Sequence, residues 1–442
     1  MEIVGVGGYG EVGRNMSLAK LGNDAIILDM GFNIQKLADL EESGGNRLTA
    51  GRKSMIKAEA IPDDSKIKSY KDNVKAIAIS HCHLDHCGAI PYLANSYKAP
   101  IIGTPFTTEV IKNILSEDNI SLQNKIRSLN NGNSVKVGDV EIELINVTHS
   151  TPSTSLIALH SKEGIIIYGN DFKLDNHPIL GQKPDYSRIK EIGRTGKVRA
   201  VILDALYSNT EKKTPSELVA REMLKEVMIE EDEGNAMVVT CFASHLARIK
   251  SIIDFASKIN RRVVLMGRSF LKYVSAAESV GVTHYGKNVD IAGYRNEIKK
   301  KLGKIQKKGL EKFVLVATGG QGEPNSVLGR MESGELPFTF SRDDMVIFSN
   351  RIIPVEPNIR HRKMLEKKLV DNGLRIFKDV HASGHCFKED LRDFINMLNP
   401  EHVIPCQGTQ EHFNGVLELA VEMGYNKKNV HMLKDGEKIK IL

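Results

Sequence analysis

Short apolar runs that end at polar residues recur along the first two hundred residues of the chain. The run Val74-Lys75-Ala76-Ile77-Ala78-Ile79 is typical of a strand, and a polar loop follows it directly. Three further runs, 25–28, 142–147 and 165–168, end at or shortly before Asp29, His149 and Asp171. Side chains at the ends of neighbouring strands can meet at one edge of a sheet. The pattern therefore predicts that these distant residues lie close together.

The pattern changes from about Val201 onward. Apolar runs at 201–203, 237–240, 263–265 and 313–316 alternate with helical segments, which favours a parallel sheet with crossover helices. One helix is expected over 216–230, opened by Thr214-Pro215-Ser216-Glu217 as a capping box with proline at the first helical position. A short strand at 402–404 returns to the first pattern. We therefore predict an α/β protein with one domain inserted into another, divided as 1–203, 204–358 and 359–442.

Composition and charge narrow the functional classes. The 442 residues exceed what one core usually supports, and 26% charged with 41% apolar residues is ordinary for a globular protein. Because no apolar run has the length of a membrane span and no signal segment opens the chain, we expect a cytoplasmic protein without a membrane partner. The five cysteines are expected to be reduced. For the basic run 299–308, a solvated helix face and an RNA contact are about equally favoured.

The segment His81-Cys82-His83-Leu84-Asp85-His86 concentrates three imidazoles and one carboxylate. This composition is typical of a metal site, and its spacing is far more restrictive than a lone histidine on a polar surface loop. His81, His83 and His149 are expected to hold a first zinc ion. Asp85 and His86 would hold a second, with Asp171 bridging the two, and a carboxylate such as Asp85 also suits activation of a water.

Three further residues are candidates for supporting roles. Asp29 and Asp204 each end an apolar run and could orient loops or the ligating histidines, although a simple turn or cap role is nearly as well supported for Asp29. His385, in the loop Ser383-Gly384-His385, could donate a proton to a leaving oxygen.

The segment His81-x-His83-x-Asp85-His86, together with Asp29, His149 and Asp171, resembles the motifs of the metallo-β-lactamase fold. Asp204 and His385 resemble the first two extra motifs of its β-CASP branch, whose members cut nucleic acids. Within that branch the chain is identified as similar to the ribonuclease J family, through blocks that run from the N-terminus to beyond residue 400: Gly7-Gly8-x-Gly10-Glu11-x-Gly13-x-Asn15-Met16, Phe242-Ala243-Ser244, Gly267-Arg268-Ser269, 318–324 and His381-Ala382-Ser383-Gly384-His385. The fold implied is an αββα sandwich with an inserted parallel-sheet β-CASP domain.

The resemblance implies an activity, cofactors and partners. It implies a ribonuclease with two zinc ions per chain that degrades RNA 5′ to 3′ from a monophosphorylated end, with endonucleolytic cleavage as a second mode. Single-stranded RNA, in a cleft between the domains, and a homodimer are the partners it implies. The short tail after the last motif is similar to the archaeal type.

One position departs from the family pattern. The third extra motif has a histidine that binds the second metal, and Gln407 takes its place here. Because an amide carbonyl is a weaker zinc ligand than imidazole, the second site is expected to be looser, to accept Mn²⁺, or to recruit His412 or water.

Candidate RNA contacts lie in loops after predicted strands. Hydroxyl, guanidinium and backbone N–H groups there can hold phosphate oxygens; the candidates are Ser244, Arg268, Ser269, Ser383 and Gly384. The glycine-rich stretch 318–322 lacks the lysine of a nucleotide-binding P-loop, so a structural turn remains open for it. The alternatives to a ribonuclease are a DNA nuclease or small-ester hydrolase of the same fold and, in a different class, a largely inactive RNA-binding subunit.

Overall fold

The computed structural model describes residues 1–286, 289–353 and 355–441. These residues form two compact units. The first unit comprises Met1–Asn176, Gln182–Thr214 and the chain from Gly384 onward, and the second comprises His177–Gly181 and Pro215–Ser383. The second unit is thus inserted into the first, and its limits lie somewhat later in the chain than the 204–358 expected from sequence.

In the described part of the first unit, one sheet has seven strands in the order β19-β1-β2-β3-β4-β5-β6. The first three of these pairings are antiparallel and the last three are parallel. The strands are β1 (Glu2–Gly7), β2 (Met16–Leu21), β3 (Asp24–Leu28), β4 (Val74–Ala78), β5 (Ile101–Gly103), β6 (Ile126–Ser128) and β19 (Lys438–Lys440).

Six strands form the second sheet of this unit within the described ranges, in the order β18-β11-β10-β9-β8-β7. They are β7 (Ser134–Val137), β8 (Val140–Asn146), β9 (Ser155–Ser161), β10 (Gly164–Gly169), β11 (Val198–Asp204) and β18 (His402–Cys406). On this sheet Glu143 accepts hydrogen bonds from His160 and Arg188. Because β18 pairs with β11, the end of the chain completes a sheet that its first half begins.

The two sheets pack face to face, because alternate residues of both are apolar and enter one core. Ile26, Leu28 and Ala76 of the first sheet share this core with Ile157 and Ile166 of the second. A second core lies on the other face of the second sheet, against α6 (Tyr186–Arg194), α13 (Lys388–Leu398) and α14 (Gln410–Glu422). Helix α5 (Pro105–Glu117) packs on β5 and β6. This helix-sheet-sheet-helix layering is the architecture that the resemblance implies.

The remaining α-helices in the described part of the first unit are short. They are α1 (Ile34–Glu42), α2 (Arg52–Lys57), α3 (Leu84–Cys87) and α4 (Ile90–Leu93). Helix α3 matters most for the site, because it begins inside the histidine-rich segment and orients that segment at the end of β4.

The second unit is a parallel sheet with crossover helices, as the alternating pattern predicts. Its described strands have the order β14-β13-β15-β12-β16-β17, with bounds β12 (Met237–Thr240), β13 (Arg262–Met266), β14 (Val289–Ala292), β15 (Phe313–Ala317), β16 (Met345–Phe348) and β17 (Arg375–Phe377). The helices are α7 (Glu217–Lys225), α8 (Leu246–Lys258), α9 (Arg268–Ser279), α10 (Arg295–Lys308), α11 (Val327–Glu332) and α12 (Glu356–Asp371). The domain limit expected at residue 358 falls inside α12. No helix in the described parts of either unit is long and apolar enough to cross a membrane.

The capping box expected at Thr214 is wrong. The Ser216 hydroxyl caps α7 by accepting from the Leu218 N–H, whereas the Thr214 hydroxyl donates to the His385 carbonyl. The Thr214 N–H donates to Asp390 Oδ2 at 2.7 Å, and the Glu217 carboxylate receives two hydrogen bonds from the buried Arg248 guanidinium. After α7 the segment Glu226–Glu230 continues as one π-helical turn rather than as α-helix.

Candidate metal centre

Four side chains from three strand ends converge in the first unit. His81 and His83 follow β4, His149 follows β8 and Asp171 follows β10. One ligand atom from each lies within 4.8 Å of the others. The structure therefore brings together the first-metal ligands named from sequence, and it adds Asp171 directly to them.

The facing atoms of these four residues are identified by their distances. His83 Nδ1 lies 3.1 Å from both His81 Nε2 and His149 Nε2. Asp171 Oδ2 lies 3.8 Å from the same two Nε2 atoms. Tetrahedral zinc with bonds of about 2.05 Å needs ligand atoms about 3.3 Å apart. Three nitrogens and one oxygen at this spacing fit a tetrahedral divalent metal.

Neighbouring groups hold the outer ring nitrogens of two of these histidines. His149 Nδ1–H donates to the Gly384 carbonyl at 2.7 Å. His81 Nδ1 lies 3.0 Å from Ser80 Oγ, whose own proton goes to Asp29, so the hydroxyl accepts from the ring. In both rings the Nε2 lone pair therefore faces the cluster. Histidines that bind metal usually donate the N–H of their other ring nitrogen to a neighbouring acceptor in this way.

Electrostatics also favour neutral imidazoles here. Burial lowers the pKa of His81 and His149 well below the ordinary value, and the neighbouring histidines lower it further. A metal ligand must offer an unprotonated nitrogen. The site thus holds these two rings in the form that binds a cation.

A second group of ligand atoms consists of Asp85, His86 and Asp171. His86 Nε2 lies 3.2 Å from Asp171 Oδ2 and 3.4 Å from Asp85 Oδ2. Gln407, which immediately follows β18, is buried beside them. Its Nε2 donates to Asp85 Oδ2 at 3.0 Å and to Asp171 Oδ1 at 3.1 Å.

Asp29 is a fully buried carboxylate behind the cluster. It accepts from Ser80 N–H and Oγ–H, from His86 Nδ1 at 2.7 Å and from the Tyr168 hydroxyl at 2.9 Å. It therefore positions the loop that carries the histidines as well as one of the rings. Sequence reasoning named Asp29 for such a role but missed Tyr168, whose only signal is a hydroxyl at the end of an otherwise apolar strand.

Three of the site residues adopt a left-handed backbone conformation. Asp29, Asp171 and Gln407 have φ of 59°, 55° and 55°, and each lies within two residues of a strand end. Such a conformation is uncommon for residues other than glycine, and it clusters at functional sites. Here it turns each side chain sharply at the sheet edge.

His385 and Asp204 form a pair next to the cluster. His385 Nδ1 donates to Asp204 Oδ2 at 2.6 Å, and His385 Nε2 lies 3.9 Å from Asp171 Oδ2. Burial opposes the charged ring, but Asp171 and Asp204 raise the pKa of His385 to about 9. The pair thus fixes the ring with its Nε2 facing the site.

The candidate RNA contacts occupy different environments. In the second unit, Arg268 and Ser269 begin α9 after β13 and are exposed, and Ser244 precedes α8 after β12 but is largely buried. Ser383, the last residue of this unit, is largely buried as well. In the first unit the Gly384 carbonyl is taken by His149, so Gly384 contacts the cluster itself. Their RNA contacts stay a prediction.

Comparisons with known proteins agree with this geometry. Family models described as a beta-lactamase superfamily domain, a ribonuclease J beta-CASP domain and a Zn-dependent metallo-hydrolase RNA specificity domain match residues 60–227, 234–362 and 374–433. The chain is 42% identical to Ribonuclease J of Methanocaldococcus jannaschii over 99% of this chain and 98% of that protein. It is 37% identical to Ribonuclease J of Pyrococcus abyssi over 100% of this chain and 97% of that protein.

A solved structure shares the fold at low sequence identity. The crystal structure of a protein of unknown function from Enterococcus faecalis V583 matches with a TM-score of 0.65 and 15% identity, covering 99% of each chain.

Proposed function

Since the chain belongs to the ribonuclease J family, a family of metal-dependent ribonucleases, we propose that it is a zinc-dependent 5′-3′ exoribonuclease that starts from monophosphorylated RNA ends. Endonucleolytic cleavage is its second mode in this proposal. The observation that supports it best is the convergence of three imidazoles and one carboxylate beside the hydrogen-bonded pair of His385 and Asp204.

His81, His83, His149 and Asp171 are the residues that would hold the metal. A divalent ion bound there would supply a Lewis acid that lowers the pKa of water and stabilises negative charge on a phosphate oxygen. Asp85 is the carboxylate best placed to accept a proton from the attacking water, because its side chain keeps 21% exposure whereas that of Asp171 keeps 3%.

His385 is proposed to protonate the leaving oxygen. Its Nδ1 is fixed by Asp204, and its Nε2 faces the cluster. Attack of water on phosphorus breaks the bond to the 3′-oxygen, which takes the proton from His385 Nε2. The product end then carries a new 5′-monophosphate, so each cut generates the substrate end for the next.

The RNA backbone is proposed to contact the second unit. Ser244, Arg268 and Ser269 lie after the carboxyl ends of parallel strands, where ligands of such sheets bind. Helix α10 carries seven basic residues and one acidic residue, so its net charge of +6 equals that of the entire chain. Phosphate binding to such a surface weakens steeply with salt. Exchanging Lys299 and Lys304 for glutamate should therefore weaken RNA binding and reduce its salt dependence.

A homodimer and a cytoplasmic location complete the proposal. The five cysteines are buried free thiols, which suits a reducing compartment. Light scattering of the purified protein would measure its mass in solution.

The test uses 3′-labelled RNA that carries either a 5′-monophosphate or a 5′-triphosphate, with Zn²⁺ or Mn²⁺, resolved on a sequencing gel. Faster loss of the monophosphate substrate without intermediates supports the exonuclease, and discrete internal cuts in both substrates show an endonuclease. His83→Ala should abolish cleavage and retain RNA binding, with the exposed His284→Ala as its control. Binding without cleavage by the unaltered protein would identify an RNA-binding subunit, and cleavage of DNA alone would identify a DNA nuclease.

A further inference from the structure

We propose that hydrogen bonds from carboxamide N–H groups, rather than a second metal ion, stabilise the group formed by Asp85, His86 and Asp171. The chain then holds one divalent ion tightly, at His81, His83, His149 and Asp171. This inference rests on the proposed function in so far as the cluster is a metal site, and it departs from the two zinc ions expected by resemblance.

Gln407 presents its donor end to the second group. Its Nε2 donates to Asp85 Oδ2 and to Asp171 Oδ1. The orientation of the amide is fixed from behind, because its Oε1 accepts from the Gly13 backbone N–H at 2.6 Å. Reversing the amide would set its NH₂ against the Gly13 N–H and its oxygen against two carboxylates. The oxygen that could bind a metal is therefore turned away.

Asp171 offers only one uncommitted oxygen to metal ions in this arrangement. Its Oδ2 faces His81, His149 and His86. Its Oδ1 already receives the N–H of Gln407, so a second ion would have to share Oδ2 with the first ion. A hydrogen bond to an ionised carboxylate is stronger than one between neutral groups, so this contact stabilises the buried charge.

A second amide reinforces the first. Asn15 Nδ2 lies 3.1 Å from His86 Nε2 and 3.1 Å from the Asp85 carbonyl oxygen. Its orientation is fixed as well, because Asn15 Oδ1 accepts from Asn170 Nδ2 at 3.0 Å. His86 Nε2, the ring nitrogen that faces this group, thus has an amide as its neighbour where a second ion would bind.

The two groups therefore differ in what surrounds them. Around the first group, hydrogen bonds act on the outer ring nitrogens and leave the inner lone pairs facing one another. Around the second, amide donors occupy the inner oxygens. Binding an ion in the second group would require breaking the contacts of Gln407 and displacing Asn15.

The test counts metal ions in purified protein. Protein stripped with a chelator is titrated with Zn²⁺ against a chromophoric competitor, and zinc per chain is measured after desalting. We expect one tightly held zinc per chain, with any second ion bound about 100-fold more weakly, the upper range for changes to groups around a metal. Two zinc ions that bind within tenfold of each other would overturn the inference.

Substitution of Gln407 identifies the cause. Gln407→His should raise the count to two, whereas the matched control Gln410→His, which adds an imidazole at an exposed position three residues later, should leave it at one. If Gln407→His stays at one, the role assigned to Gln407 is wrong. Gln407→Glu retains the shape and replaces the donor by an acceptor. Without metal, this variant should unfold at a lower temperature than the unaltered protein, and added Zn²⁺ should raise its unfolding temperature by more. Equal increases in the two proteins would contradict the inference.

Metal count and RNA cleavage are measured on the same preparations, so the two proposals can fail separately. One zinc without cleavage of any RNA contradicts the proposed function and leaves the inference intact. A count of two tightly bound zinc ions together with 5′-3′ cleavage contradicts the inference and leaves the proposed function intact.

Discussion

Replacing Asp29 by asparagine tests how far one buried carboxylate organises the site. The change keeps the size of the side chain, and asparagine tolerates the φ of 59° at this position. Of the four hydrogen bonds that Asp29 accepts, three go to Oδ2 and one, from the Ser80 N–H, goes to Oδ1. The best orientation of the new amide therefore places its NH₂ against the Ser80 N–H.

The cost follows from that single mismatch. One hydrogen bond to a charged acceptor is lost, worth about 2 kcal/mol, and two buried donors then face each other, which adds at least about 1 kcal/mol. We expect Asp29→Asn to lower the free energy of unfolding of the first unit by about 3 kcal/mol. Asp29→Ala, which removes all four acceptor contacts, should cost more.

Urea unfolding of chelator-treated protein, followed by far-ultraviolet circular dichroism because the chain has no tryptophan, measures this difference. Asp343→Asn is the matched control, since Asp343 is exposed and has a φ of 66°; its effect should stay within about 0.5 kcal/mol. A change below about 1 kcal/mol for Asp29→Asn would refute the reasoning. Zinc content gives a second measurement, because Ser80, which Asp29 holds, orients the ring of His81, and its displacement should weaken metal binding.

Three further outcomes are expected. Gly384→Ala should weaken zinc binding about 10-fold to 100-fold in a chelator competition, because the added Cβ would lie 2.8 Å from His149 Nδ1. Unchanged affinity would show that the loop shifts to make room for the methyl group. Arg248→Met should destabilise the second unit by about 3–5 kcal/mol in urea, since it leaves the buried Glu217 carboxylate without its guanidinium; a loss near zero would contradict this. Burial raises the pKa of Glu143, but its histidine and arginine partners lower it to about 2. Glu143→Gln should therefore lower the free energy of unfolding by about 1 kcal/mol at pH 7, a value discounted for the partial exposure of the carboxylate. That cost should vanish as the pH falls from about 4.5 to about 2, and a cost that persists at pH 2 would exclude the charge as its source.

The prediction of the site from sequence depended on the positions at which apolar runs end in polar residues. His149 and Asp171 lie far from the histidine-rich segment in sequence, yet apolar runs ending at polar residues were enough to group them with it. The topology explains why: β8 and β10 run in the same direction on either side of β9, and β4 belongs to the sheet packed against theirs, so the three strand ends can meet at one edge of the sandwich.

Other features had no local signal. The left-handed backbone of Asp171 and Gln407 depends on strand pairing and tertiary packing, and the orientation of the Gln407 amide depends on a backbone N–H of Gly13, almost four hundred residues away. The start of α7 was misplaced for a similar reason. Thr214 is a good capping residue in isolation, but its hydroxyl is bound by a loop that follows the entire second unit.

The split first unit also has a consequence for synthesis on the ribosome. When β11 has emerged, all of the proposed metal ligands have been translated, yet the outer edge of β11 is unpaired until β18 is made. His385, Gly384 and Gln407 arrive only after the second unit has been translated. A nascent chain therefore contains the proposed metal ligands before it contains the proposed proton donor His385 and the Gln407 contact to Asp85, so the site is assembled only after the second unit has been translated.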